Sequence, residues 1–309
     1  MEARVGIVSW QTAGLLDRCL AALPDALGSV DANVVVVDNA SSDGSADVAR
    51  RHGATVIVNE RNIGYPRAMN QALAGADVPY LIALNPDTEA TPGSLERLVA
   101  RLDQQPHLGL VVPRLINTDG STQDSVHRFP SVTVALVMGL VPFALREGLI
   151  GRRYWLHGYA DMSRRRRIDW ATGAVHVMRR AALGDPEHAY QERLFMYGED
   201  LALCWTLHRT GWLVELEPRA EVIHVGSAAA IQAFGDTIDE RRLEADFDWY
   251  CWAHGTPQAR LWAAANVIGY GTKLGVARVI WPAGDARTAR TRHFLGLHVR
   301  HLRSIGRSA

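Results

Sequence analysis

Four acids and one histidine carry most of the chemistry this sequence could do. Asp38 ends the apolar run Val34-Val35-Val36-Val37, and Asp87 lies just past Val78-Pro79-Tyr80-Leu81-Ile82-Ala83-Leu84, in the turn Asn85-Pro86-Asp87-Thr88. Glu199-Asp200 opens a run to Trp205, and His224 follows Ala220-Glu221-Val222-Ile223. A carboxylate can accept the N–H of a pyrimidine base, while another can hold a divalent cation against a diphosphate. A histidine can join that cation as a ligand or donate to the diphosphate. Each group also has an ordinary use. Asn-Pro-Asp-Thr is common turn chemistry, Asp38 suits a helix cap, acids favour any first helical turn, and a lone histidine often only hydrogen-bonds in the fold.

The elements around these residues decide between the two readings. Val5 to Trp10 reads as a strand, and Leu15 to Leu23 as a helix stopping before Pro24. Val34 to Asn39 is a second strand, Ser41 to Ser45 a cap-rich turn into a helix near Ala46 to His52, and Ala54 to Val58 a third strand. Asn62 to Leu73 enters another helix, which returns to the strand that ends near Asp87. Strands separated by helix-length segments predict βαβ units and a parallel sheet, with ligands bound beyond the carboxyl ends of the strands.

Composition narrows the classes. At 309 residues, 48% hydrophobic, the chain can bury one large α/β core or two smaller ones. Lys plus Arg and Asp plus Glu both total 33, so no overall field draws in nucleic acid. Cys19, Cys204 and Cys251 show no metal-ligand spacing and no disulfide framework, which suits a reducing cytosol. The start Met1-Glu2-Ala3-Arg4-Val5 has no signal-peptide character, and no stretch reaches the roughly 18 to 20 apolar residues of a spanning helix. A soluble or peripheral cytoplasmic protein is expected, with contact at the inner face of the cell membrane left open.

Ile7-Val8-Ser9-Trp10, Val36 to Ser45, Asn59-Glu60-Arg61-Asn62-Ile63-Gly64 with Asn70, and Asn85-Pro86-Asp87-Thr88 together resemble the family 2 inverting glycosyltransferases, particularly the rhamnosyltransferase-like branch. The likeness covers about residues 4 to 230. It implies an α/β fold of GT-A type: Rossmann-like, with a mostly parallel central sheet flanked by helices and followed by a helical C-terminal extension. On this reading residues 1–230 form the transferase domain, its donor half about 1–115 and acceptor half about 116–230, and residues 231–309 the extension. The resemblance implies Asp38 at the nucleobase and Asp87 on Mg²⁺ or Mn²⁺, with Asn85 at the first position of the DxD-like motif. It places Ser9, Asn62, Gly64 and Gly173 near the donor, and His224 in a late histidine motif as a metal-ligand candidate. Tyr65-Pro66-Arg67 departs from the family's aromatic followed by small residues, leaving Arg67 as a candidate diphosphate or base contact. The acid matching Asp200 is the family's general base, supported here by Glu199.

The implied donor is a dTDP-deoxysugar such as dTDP-L-rhamnose, then a UDP-hexose, and the implied acceptor a cell-surface glycan or polyprenyl-linked saccharide. A sugar nucleotidyltransferase would need a Gly-rich basic loop after the first strand, and Gln11-Thr12-Ala13-Gly14-Leu15 is not one. A non-catalytic nucleotide-sugar-binding scaffold would keep Asp38 but need neither Asp87 nor Asp200. Elsewhere, the apolar run Val132 to Leu145 is expected to pack in the core ahead of meeting a membrane, and Arg164 to Arg167 to be a solvated loop or an anion contact. Aromatic residues between 236 and 280, followed by arginines from Arg287 to Arg307, read as a docking element for an anionic membrane, a homodimer interface or a solvated tail.

Overall fold

A computed structural model of the chain describes residues 1–140, 161–193, 195–226, 235–281 and 284–304. Residues 141–160 of the middle stretch, with the end of its apolar run, and Leu194, Ser227 and Arg307 lie outside them. In chain order the elements begin with β1 (Glu2–Ser9), α1 (Ala13–Leu27), β2 (Asp31–Asp38), α2 (Ser45–Arg51), β3 (Thr55–Val58), α3 (Tyr65–Leu73) and β4 (Tyr80–Leu84). Next come β5 (Thr88–Ala90), α4 (Ser94–Gln104), β6 (Leu108–Ile116), β7 (Val126–His127) and α5 (Val132–Leu140). After residue 160 stand β8 (Arg166–Ile168), β9 (Trp170–Ala171), β10 (Val175–Arg179), α6 (Glu199–Arg209) and β11 (Leu213–His224). The helices α7 (Ile238–His254), α8 (Thr256–Ile280) and α9 (Ala286–Ser304) complete the set.

Two compact units divide these elements. The first takes Met1–His127 and Asp161–Asp236, the second the described residues of Arg128–Ala160 and Thr237–Ala309. Residues 128–140 group with the C-terminal helices.

The first unit is built on a nine-stranded sheet of order β3-β2-β1-β4-β10-β6-β11-β5, with β8 also paired to β11. β1, β2, β3, β4, β6 and β11 share one direction, and β10, β5 and β8 oppose it. All five residues of β4 are buried, as a strand covered on both faces requires. Leu16, Cys19, Leu20, Leu23 and Leu27 of α1 join the same core. α1 does not stop at Pro24 but runs three residues past it. Pro24 itself lies on the exposed side of the helix, and Gly28 N–H donates to the Pro24 carbonyl at 3.1 Å.

Strand β11 runs from Leu213 to His224. It pairs in parallel with β6 from Leu213, shifts register between Glu217 and Glu221 around Pro218, and then pairs with β5 so that His224 faces Thr88. That register delivers the late histidine to the turn that carries Asp87.

In the second unit, α5 packs on α8 through Gly139 and Gly269, where a Cβ added to Gly139 would stand 2.3 Å from the Gly269 Cα. Aromatic rings fill the remaining contacts: Phe129 stacks on Trp249, Tyr250 on Trp262, and Tyr270 on Phe294. No described helix is long and apolar enough to cross a membrane.

Candidate active site

The carboxyl ends of β1, β2 and β4 form the first wall. Asp38 is buried, with Oδ1 accepting from the Ser41 N–H at 3.3 Å. Ser9, paired with it across β1 and β2, shares a 2.8 Å hydrogen bond with Thr12 Oγ1. Asn39, which the sequence did not single out, organises the next loop. Its Nδ2 donates to Asn62 Oδ1 at 2.8 Å, and its Oδ1 accepts from Asn59 Nδ2 and Ile63 N–H at 3.1 Å each. Asn62 Oδ1 also accepts from the Gly64 N–H at 3.0 Å, so Asn62 shapes the backbone here. Three asparagines within a short span, Asn39, Asn59 and Asn62, were the available signal.

Gly64 has φ +87° and ψ 160°, a region essentially reserved for glycine. A Cβ there would stand 2.7 Å from the Phe195 carbonyl, which accepts the Tyr65 N–H at 3.0 Å. Gly64→Ala is therefore expected to cost roughly 1–3 kcal/mol in urea unfolding. Wild-type stability in that variant would show that the loop bends freely. Arg67, on the helix that follows, faces Glu192 at 3.5 Å on an exposed surface.

Asp87 and His224 meet beyond β4. Asp87 is 7% exposed, and its Oδ1 stands 3.4 Å from His224 Nε2. His224 Nδ1 lies 2.6 Å from Gln123 Oε1, an acceptor only, so Nδ1 carries the proton. Nε2 is buried, makes no hydrogen bond and stands against the Asp87 carboxylate oxygen. Two acceptors placed this way repel unless a proton or a cation lies between them. Neighbouring ligands of an octahedral Mg²⁺ stand about 3 Å apart, so the pair fits a shared ion. Among the described residues no group of three or more His, Cys, Asp and Glu could hold a metal, so ligand oxygens and water would fill the other positions. Asn85 contributes backbone: its N–H donates to the Ala174 carbonyl at 2.9 Å, and its carbonyl accepts from Thr88 Oγ1 at 2.7 Å.

The opposite wall is the start of α6. Tyr197 has φ +72° and Gly198 φ +79°, a tight left-handed entry that a tyrosine adopts only under constraint. Asp200 Oδ2 accepts from the Gly173 N–H at 3.1 Å, and Oδ1 from the Leu201 N–H at 2.7 Å. Gly173 thus approaches Asp200 closely. The dipeptide Gly173-Ala174 therefore ties the two walls together, one end bonded to Asp200 and the other to Asn85. Glu199 is buried, its Oε2 unpartnered, and burial together with the Asp200 charge raises its pKa above 4.5.

Tyr65 connects these acids. Its hydroxyl is enclosed without a hydrogen-bond partner, and burial, then the charges of Glu199, Asp200 and Asp87, hold its pKa well above 10.0. Sequence reasoning noted it only as the residue before Pro66. Its ring packs edge-on against Tyr190 at 6.0 Å, and Asn70 clasps the Tyr190 backbone through 2.9 Å bonds to its N–H and carbonyl.

Below lies His176, fully buried, with Nε2–H donating to the Ala171 carbonyl at 3.3 Å and Nδ1 accepting from the Tyr190 hydroxyl at 3.2 Å. Burial drops its pKa from 6.5 to about 4. Because the folded value is depressed, the stability tied to the neutral ring is complete above 6.5 and is lost as pH falls through about 4. Its full size is roughly 3 kcal/mol. The stability advantage of wild type over His176→Asn should therefore shrink across that window in urea titrations. A constant gap would mean that His176 carries no such penalty.

A mostly parallel α/β sheet with three opposing strands and acids gathered at its strand ends is the architecture of the GT-A class of glycosyltransferase. The chain belongs to glycosyl transferase family 2, whose model matches residues 5–183. It is 30% identical over 233 residues to the N-acetylglucosaminyl-diphospho-decaprenol L-rhamnosyltransferase of Mycobacterium tuberculosis, covering 70% of this chain and 74% of that one. It is 22% identical over 193 residues to a poly-beta-1,6-N-acetyl-D-glucosamine synthase of Staphylococcus epidermidis, covering 60% and 41%. The crystal structure of S. aureus TarS 1-349 shares the fold, with a TM-score of 0.52 at 13% identity over 100% of this chain and 91% of that one.

Proposed function

We propose that this glycosyltransferase moves L-rhamnose from dTDP-L-rhamnose to a hydroxyl of a polyprenyl-diphosphate-linked N-acetylglucosamine, inverting the anomeric centre. The likeness to the mycobacterial rhamnosyltransferase supports the transferred L-rhamnose and the acceptor, and the dTDP nucleotide is part of the proposal. The observation that carries the chemistry is the Gly173-Ala174 bridge, which holds Asp200 on one side of the site and the Asp87 turn on the other. Asp38 receives the nucleobase N–H at the end of β2. Asp87 and His224 would hold Mg²⁺ or Mn²⁺, which supplies positive charge against the departing diphosphate. Asp200 takes the proton from the acceptor hydroxyl, and in-line attack displaces the nucleotide in a single step. Glu199, with its raised pKa, is protonated when Asp200 is ionised, so the pair avoids burying two adjacent negative charges. The free thiols suit work at the cytoplasmic face of a membrane.

Calorimetry with dTDP-rhamnose, UDP-glucose, UDP-galactose and UDP-GlcNAc, each with and without Mn²⁺, tests the reading. Metal-dependent binding of dTDP-rhamnose alone is expected. Selective binding of a UDP-hexose would replace the donor, and binding of none would remove the nucleotide-sugar premise.

A further inference from the structure

Helix α8 leaves an apolar stripe uncovered. Trp262, Leu274 and Ala277 on its inner faces are buried, yet Leu261, Ile268, Val276, Val279 and Ile280 are 52–87% exposed. Their spacings of seven, eight, three and one residues keep them on one side of the helix. Soluble proteins seldom expose an aliphatic row of this length unless something covers it.

Charge identifies the cover. Residues 256–304 carry eight Lys and Arg against one acid, Asp285, in a chain whose 33 cations and 33 anions balance. Asp285 is itself paired with Arg287 at 2.9 Å, and Arg290 of α9 is paired with Asp239 of α7 at 2.6 Å, so the cations that matter are those of α8 itself. On α8, Arg260 and Arg278 project from one side of the stripe and Lys273 from the other, with Lys273 lying over the Tyr270 ring. Docking against a second copy would set this basic surface against its own like, which costs binding energy. The stripe also lacks the aromatic centre of a protein–protein hot spot, since the tryptophans and tyrosines of this unit mostly stack on one another. Aliphatic side chains between cations match the boundary of an anionic bilayer, where the apolar row enters the acyl region and the cations meet lipid phosphates.

We propose that the outer face of α8 is a membrane-docking surface selective for anionic lipid. This goes beyond the donor and acceptor assigned above and does not depend on them.

Flotation of the full chain with phosphatidylcholine vesicles, and with vesicles containing phosphatidylglycerol, tests the surface. Binding is expected only to the anionic vesicles, weakening as salt rises. The Ile268→Asp/Val279→Asp variant should bind roughly tenfold more weakly, and Arg278→Glu should weaken binding to a smaller extent. Val279 is the most exposed of the row, so Val279→Asp alone serves as the variant that cannot disturb the core. Donor titration by calorimetry should be the same in every variant, which separates failure of docking from failure of the catalytic reading. The proposal is overturned if the full chain floats with neither vesicle, if the double variant binds like wild type, or if wild type is a dimer in solution that Val279→Asp dissociates.

Discussion

Replacing Asp200 with asparagine is expected to lower kcat on the order of 10³-fold while donor affinity measured by calorimetry stays close to wild type. The factor is that of a positioned general base removed from a proton transfer. Asparagine has one acceptor oxygen where Asp200 uses two, so the bond to the Gly173 N–H can survive only as the 2.7 Å bond from the Leu201 N–H is given up. An unchanged donor affinity is what marks the loss as chemical. The acid limb of the pH–rate profile should disappear with the carboxylate. Full turnover by Asp200→Asn would remove the base from this site. Glu199→Gln is the informative companion, because glutamine imitates the protonated form that burial and Asp200 favour. That variant should retain most activity if Glu199 only supports its neighbour.

Asp87→Ala is expected to reduce kcat/KM on the order of 10²-fold, the scale of one lost electrostatic contact to a charge that develops at the leaving group. A second readout is independent of turnover. Mn²⁺ should raise the Tm of wild type, since a ligand that binds only the folded state stabilises it, and should leave Asp87→Ala unmoved. In the variant His224 Nε2 loses the carboxylate 3.4 Å away. A wild type indifferent to Mn²⁺, with Asp87→Ala equally active, would mean that the pair does not hold a cation.

Much of this arrangement was written in local sequence. The run into Leu84 is long, apolar and ended by turn residues, so β4 and the place of Asp87 could be read directly. The direction of β10 could not be read, because Val175 to Arg179 shows the same pattern whether it pairs parallel or antiparallel, and only contacts with distant strands decide. Asn39 and Tyr65 were hidden for a different reason. Polar and aromatic residues in loops have no periodicity, and their roles depend on partners as remote as Phe195 and Glu199. In the C-terminal helices the aromatic residues drew attention first, yet most of them pack inward. The exposed row is aliphatic, and α8 is apolar enough on all sides that its pattern does not separate the inner face from the outer.

The Gly173-Ala174 link acts as a fixed gauge. Two hydrogen bonds and two residues set the gap between the base and the turn that bears Asp87, and neither residue has a side chain larger than a methyl group. Relatives could therefore change acceptors by rebuilding the segments around the gauge without resetting the reach of the proton transfer. An insertion between Gly173 and Val175 should be tolerated far less than one of equal length at the turn Asn117 to Ser121, although both lie in the same unit.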